Sequence, residues 1–195
     1  MPDERGAQHC GRPSRLRGDE IPIASMLPGY YCSGMVAPVN VTKKRVPDSR
    51  VTLHQFMLPA DANALGNVHG GVILKIADEA AAICAMRHAR RPCVTVAIDS
   101  VSFHSPVHVG ELLALTATLS YVGRTSMEIR VDVHAEDPIS GVVTHTNSAH
   151  FVFVALDETG ATTPVPGLEL ETEEERVAFA EAQARQAARL ARARA

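Results

Sequence analysis

Tryptophan is absent from this chain of 195 residues. A surplus of basic residues is absent too. Lysine and arginine number 19 against 22 aspartates and glutamates, a formal charge of −3, which excludes a general nucleic-acid binder. The four cysteines, at positions 10, 32, 84 and 93, form no C-x-x-C pair. No zinc or redox motif follows from them, and a reducing cytosol is the simplest setting. Nine histidines are scattered without H-E-x-x-H or comparable ligand spacing, so no metal site is read from them. Long apolar runs are missing as well. The mildly apolar stretch 21–39 is broken by Pro22, Pro28, Gly29, Gly34 and Pro38 and cannot be a membrane helix. The first 20 residues carry Asp3, Glu4, Asp19 and Glu20 without an apolar centre, a poor signal peptide. Residues 1–48 as a whole lack apolar periodicity and are expected to be a disordered tail; Met35 could serve as an alternative start.

What is present is an ordinary globular composition, 46% apolar and 21% charged. It is organised around residues 61–88, DANALGNVHGGVILKIADEAAAICAMRH. A turn-rich polar loop passes into one long helix, expected over 68–88 with Asn67 as its cap. Gly70 and Gly71 fall in the first turn, each costing about 1 kcal/mol in helix propensity, which suggests that something approaches the bare backbone there. At about 100° per residue, Val72, Ile73, Ile76, Ala77, Ala80, Ile83 and Cys84 share an apolar face that should lie on a sheet. Asp78 points nearly the other way. It reads either as a solvated acid or as a carboxylate facing a water. Basic Arg87, His88, Arg90 and Arg91 suit the negative end of the helix, and Pro92 stops it.

Strand-like segments flank this helix at 51–58, 94–103, 111–122, 126–136 and 142–156. The fourth alternates cleanly, with Met127, Ile129, Val131, Val133 and Ala135 on one side and Glu128, Arg130, Asp132, His134 and Glu136 on the other. Strand, long helix and four hairpin-linked strands predict an α+β domain: an antiparallel five-stranded sheet wrapped around one central helix. The domain is drawn at 49–166. Residues 167–195 form an Ala/Arg/Glu-rich segment with a capping-box pattern at Thr172–Glu175 and a thin apolar face. It predicts an exposed terminal helix, resting on a neighbouring subunit.

The pieces Asp61-Ala-Asn63, Gly66-Asn-Val-His-Gly-Gly71, Asp78, Phe103-His-Ser-Pro106-Val with Gly110, Gly123-Arg-Thr-Ser-Met-Glu128 and Phe151-Val-Phe-Val-Ala-Leu-Asp157 together resemble the hotdog-fold acyl-CoA thioesterases of the cytosolic (brain-type) acyl-CoA hydrolase family. The resemblance covers roughly residues 50–166. It implies hydrolysis of a fatty acyl-CoA to the acid and CoA in the cytoplasm, with no cofactor beyond the substrate's own CoA. It maps the family's catalytic pair onto Asn63 and Asp78. It also implies a homodimer, with a trimer of dimers as the common larger assembly, and neither a nucleic-acid nor a membrane partner.

The chemistry of these residues agrees with that expectation. Backbone N–H groups of Gly70 and Gly71 at a helix N-terminus can hold the oxyanion formed when a thioester carbonyl is attacked. Asp78 would act as general base or nucleophile, and Asn63 would orient the water or the carbonyl. Arg124, with Thr125 and Ser126 beside it in a tight turn, is the first candidate for the CoA phosphates; Arg90 and Arg91 are further ones. His69, as in a hotdog dehydratase, would need a proline-glycine turn that is missing here, so packing or capping fits it better. Two other readings stay open: an acyl-CoA-binding sensor without turnover, and an enoyl-CoA hydratase or dehydratase.

Overall fold

A computed structural model describes residues 43–192. The elements run β1 (Lys43–Arg45), a 3₁₀ turn (Val46–Ser49), β2 (Val51–Phe56), a 3₁₀ turn (Pro59–Asp61), α1 (Gly70–Ala89), β3 (Cys93–Phe103), β4 (Leu112–Val122), β5 (Ser126–Glu136), β6 (Val143–Ala155), β7 (Gly167–Glu169) and α2 (Glu173–Arg192). The main sheet has the order β2-β4-β5-β6-β3 and is antiparallel throughout. The expected five strands and central helix are all there, within a few residues of their drawn limits.

Alternation in β5 explains the core. Met127, Ile129, Val131, Val133 and Ala135 are buried, together with Leu113, Leu115, Ala117 and Leu119 of β4 and Phe151 and Phe153 of β6. Onto this floor α1 presents Ile73, Ala77, Ala80, Ala81, Cys84 and Ala85. The helix is turned from the expected face: Val72, Ile76 and Ile83 only flank the core. Apart from Ile73, it is mostly small alanines that meet the sheet, because they let the helix axis come close. The helix also starts two residues later than expected. His69, not Asn67, is the N-cap, and its ring nitrogen accepts from Gly71 N–H at 2.9 Å. Asn67 is instead bridged to His108.

The expectation of a disordered 1–48 needs correction at its end; residues 1–42 lie outside the described residues. β1 pairs in parallel with β7, Lys44 opposite Leu168. Lys44 Nζ donates to the carbonyls of Arg87 (3.0 Å) and His88 (2.6 Å), closing the C-terminus of α1 as a cation should. Val46 and Ser49 are buried. One buried valine beside a proline leaves no periodic signal in the sequence.

The terminal helix is corrected too: α2 packs on its own sheet, on the face opposite α1. Ala182 is buried, Phe179 packs at a tilt of 45° against Tyr121 with ring centroids 5.0 Å apart, and Arg185 and Arg189 both bind Glu128 at 2.8 Å. Arg189 also pairs with Asp99 of β3. Glu128, on the polar row of β5, is 1% exposed. A buried carboxylate needs such partners, and in the sequence those arginines read only as charges suited to a helix end. Among the described residues no helix is long and apolar enough to cross a membrane.

Candidate active site

The loop before α1 is held by Asn63. Its Oδ1 accepts from the N–H of Leu65 (2.8 Å) and of Asn67 (3.3 Å), and its own N–H donates to Asn67 O at 2.7 Å. The side-chain carbonyl therefore builds the turn, while the amide Nδ2 has no acceptor among the described residues and remains available as a donor. Gly66, with φ +84°, supplies the turn conformation that other residues avoid.

The two glycines at the helix start have different neighbours. A Cβ on Gly70 would stand 3.3 Å from the ring of Phe103, and one on Gly71 would stand 3.1 Å from His69 Nδ1. The close approach expected from the sequence is thus made first by the chain itself. Gly71 N–H is engaged by His69. Gly70 N–H has no acceptor among the described residues, which leaves it as the open donor at the positive end of the helix.

Asp78 does not face away from its own sheet. Thr95, on the edge strand β3, donates its hydroxyl to Asp78 Oδ1 at 2.8 Å. The carboxylate therefore leans sideways over the sheet edge, held by one bond and with its other oxygen unengaged among the described residues. Nothing in the sequence singles out Thr95; within Val94-Thr-Val96 it looks like any β-branched strand residue. Gly70 and Asp78 are eight residues apart, roughly 12 Å along the helix. Beside them the edge of β3 carries the exposed side chains Val96, Ile98 and Phe103.

The arginines expected to bind phosphate collect at the other end. Gly123 N–H closes a turn on Ser126 O at 2.8 Å, leaving Arg124 exposed. Thr125 O accepts from Ala155 N–H, and Pro92 O accepts from Leu156 N–H. The Arg124 turn and the Arg90–Arg91 corner thus flank the end of β6. Arg90 itself terminates α1 at φ +53°. None of the three guanidinium groups forms an ion pair among the described residues. Ser126 is the first residue of β5, paired with Val154. Nearby, burial pushes the thiols of Cys84 and Cys93 up to about 12.

Comparison with known proteins agrees with this architecture. Residues 65–142 match the thioesterase superfamily. An uncharacterised acyl-CoA thioester hydrolase of Zymomonas mobilis is 37% identical over 139 residues, 69% of this chain and 90% of the relative. A crystal structure of an apo-hexameric acyl-CoA thioesterase is 41% identical, with a TM-score of 0.75 over 78% of this chain and 98% of that one. An acyl-CoA hydrolase from Staphylococcus aureus, solved with butyryl-CoA and CoA, is 33% identical, with a TM-score of 0.72 over 77% and 92%. It has also been solved as single alanine variants of an asparagine, an aspartate and a threonine. With this sheet, this central helix and these relatives, the chain belongs to the acyl-CoA thioester hydrolases of the thioesterase superfamily.

Proposed function

We propose that this protein hydrolyses acyl-CoA thioesters to the free acid and CoA, with Asn63, Asp78 and Thr95 at the reacting centre. The observation that carries the residue assignment is the Thr95–Asp78 hydrogen bond taken with the spacing of the three residues. In the S. aureus hydrolase the asparagine, aspartate and threonine chosen for replacement are separated by 15 and 17 positions. Asn63, Asp78 and Thr95 have the same separations.

In this mechanism Asp78 takes a proton from water as the hydroxide adds to the thioester carbonyl, or attacks the carbonyl itself to give an anhydride that water then opens. Thr95 fixes one carboxylate oxygen so that the other meets the water. The oxyanion is held by Gly70 N–H, by Gly71 N–H once the His69 ring swings off it, and by Asn63 Nδ2. The C–S bond breaks, CoA leaves as the thiolate and takes up a proton. Water and substrate suffice, so the reaction as written calls for no cofactor. Arg124, Thr125 and Ser126, with Arg90 and Arg91, hold the phosphates of CoA by charge-assisted bonds.

The assembly proposed with it is a homodimer joined through the exposed apolar edge of β3, which a two-fold would cover. Asn63 then comes from one subunit and Asp78 from the other. Hexameric relatives support a further trimer of such dimers. A cytoplasmic setting accords with Cys84 and Cys93 being unpaired.

Release of free CoA from palmitoyl-CoA, followed with a thiol reagent, tests the activity. The raised thiols of Cys84 and Cys93 keep those two out of the background. Binding without release would favour an acyl-CoA sensor. Water addition to an enoyl-CoA without CoA release would favour a hydratase.

A further inference from the structure

The inner row of β6, facing α1, reads Asn147, Ala149, Phe151, Phe153, Ala155, every member buried. Four are apolar. Asn147 breaks the row although it is fully shielded from solvent. Its cross-strand partners fix its direction. Residues paired in antiparallel strands share a face, and Asn147 is paired with Val133 of β5, a core residue, and with Phe103 of β3. Phe103 in turn lies 3.3 Å from where a Cβ on Gly70 would be. Asn147 therefore sits on the sheet beside the ring that underlies the first turn of α1, the turn that carries the open N–H of Gly70.

Asn147 Oδ1 accepts from the hydroxyl of Thr146 at 3.1 Å, whereas Nδ2 is buried with no partner among the described residues. Turning the amide over would seat Nδ2 on Thr146 and leave Oδ1 bare. One polar atom stays open in either orientation. Buried polar groups are satisfied in nearly all native cores, and an aliphatic residue here would have avoided the loss. The neighbouring Phe103 is half exposed at the sheet edge and its ring lies against Gly70, so a substrate held at Gly70 N–H would reach Asn147 by displacing that ring.

We infer that Asn147 is a specificity-determining residue that binds an oxygen atom on the acyl chain close to the thioester, a hydroxyl above all. A hydroxyl both donates and accepts, so it satisfies the amide in either orientation. A site built to bond a substrate hydroxyl discriminates strongly against the analogue that lacks it. This inference rests on the thioesterase reading of the same site.

The test compares kcat/KM for 3-hydroxyhexanoyl-CoA and hexanoyl-CoA in the wild type, Asn147→Leu and Asn147→Val, with CoA release as the readout. The expected result is a fall of about tenfold or more in the hydroxyacyl/acyl ratio in both variants, with hexanoyl-CoA turned over at about the wild-type rate. Two variants are used because leucine and valine load the core differently; a melting temperature at or above that of the wild type shows that the core tolerates either. An unchanged ratio overturns the inference and leaves the thioesterase reading intact. Equal losses on both substrates also overturn it, since Asn147 would then serve the common carbonyl or the fold. No CoA release from either substrate by the wild type overturns both readings.

Discussion

Thr95 Oγ1 lies 2.8 Å from Asp78 Oδ1, a bond that ties the middle of the central helix to the edge strand. It occupies one oxygen of the carboxylate and fixes the plane of the other. Replacing Thr95 by valine keeps the shape of the strand and removes this donor. Hydrogen bonds to charged groups contribute about 1.5–3 kcal/mol, so kcat on palmitoyl-CoA should fall about tenfold to a hundredfold with KM little changed. Thr95→Ser should restore most of the rate. Equal activity of Thr95→Val and wild type would show that the hydroxyl does not orient Asp78 in the reaction.

Asn63 and Asp78 act, in the proposed dimer, from different subunits. Asn63→Ala and Asp78→Asn should each be nearly inactive as pure homodimers with the main sheet intact, although Asn63→Ala also removes the acceptor that holds the loop before α1. Unfolded together and refolded, about half of the dimers are mixed, and each mixed dimer holds one intact site. Activity should return to roughly a quarter of wild type by that pairing. A mixture that contains mixed dimers but stays inactive would place both residues in one chain's site.

Glu128 supplies a stability test. Breaking a buried pair from one side costs about 3–5 kcal/mol, whereas replacing all partners by apolar residues of similar size is close to neutral. Glu128→Leu alone strands Arg185 and leaves Arg189 with Asp99 as its one carboxylate partner, and urea denaturation should register that loss. The triple change Glu128→Leu, Arg185→Met, Arg189→Met removes the buried charges and leaves only the partly exposed Asp99 without its arginine, so it should recover much of that loss. A triple variant no more stable than the single one would mean that the three groups do not act as a unit.

His88 sets a limit on the acid side. Burial, opposed by its bond to Pro166 O at 2.8 Å and aided by the charge of Lys44, lowers its pKa in the native state. The unfolded chain, with an ordinary value of about 6.5, binds the proton more readily. The contribution of a neutral His88 is then fully present above about pH 6.5 and is lost as pH falls through the lowered native value. Urea unfolding at pH 7.5 and 5.5 should show a larger loss for wild type than for His88→Gln. Parallel losses in the two proteins would assign the acid sensitivity elsewhere, the half-buried His150, whose pKa burial also lowers, being the next imidazole to test.

Regular alternation makes β5 legible from its residues alone, and the loop-to-helix passage at 61–88 points to the site because turn residues, glycines and one acid fall at fixed offsets. Where side chains decide direction, the sequence is less informative. A wheel drawn for an isolated helix turns Asp78 away from the sheet, since it does not show the edge strand that reaches over to that carboxylate. Thr95 and Asn147 sit in strands and look like ordinary strand or loop residues until the register is known. Glu128 alternates correctly onto the polar side, but the helix that buries it begins 45 positions later. The caps of α1 escape for similar reasons. His69 competes with Asn67 as an acceptor at the start, and Lys44 reaches the far end from another part of the chain.

The short parallel ladder of β1 and β7 has a consequence for the covalent order of the domain. It sets Lys43 opposite Gly167, so the point where the chain enters the fold and the point where it leaves for α2 are neighbours. The backbone is nearly a closed ring around the central helix. A few added residues could join these points, and new ends opened at the exposed Asp137–Gly141 turn would leave every strand pair of the main sheet in register. Which residue comes first is then a matter of where the ring is cut, and tandem copies could be strung together through short linkers at that same seam.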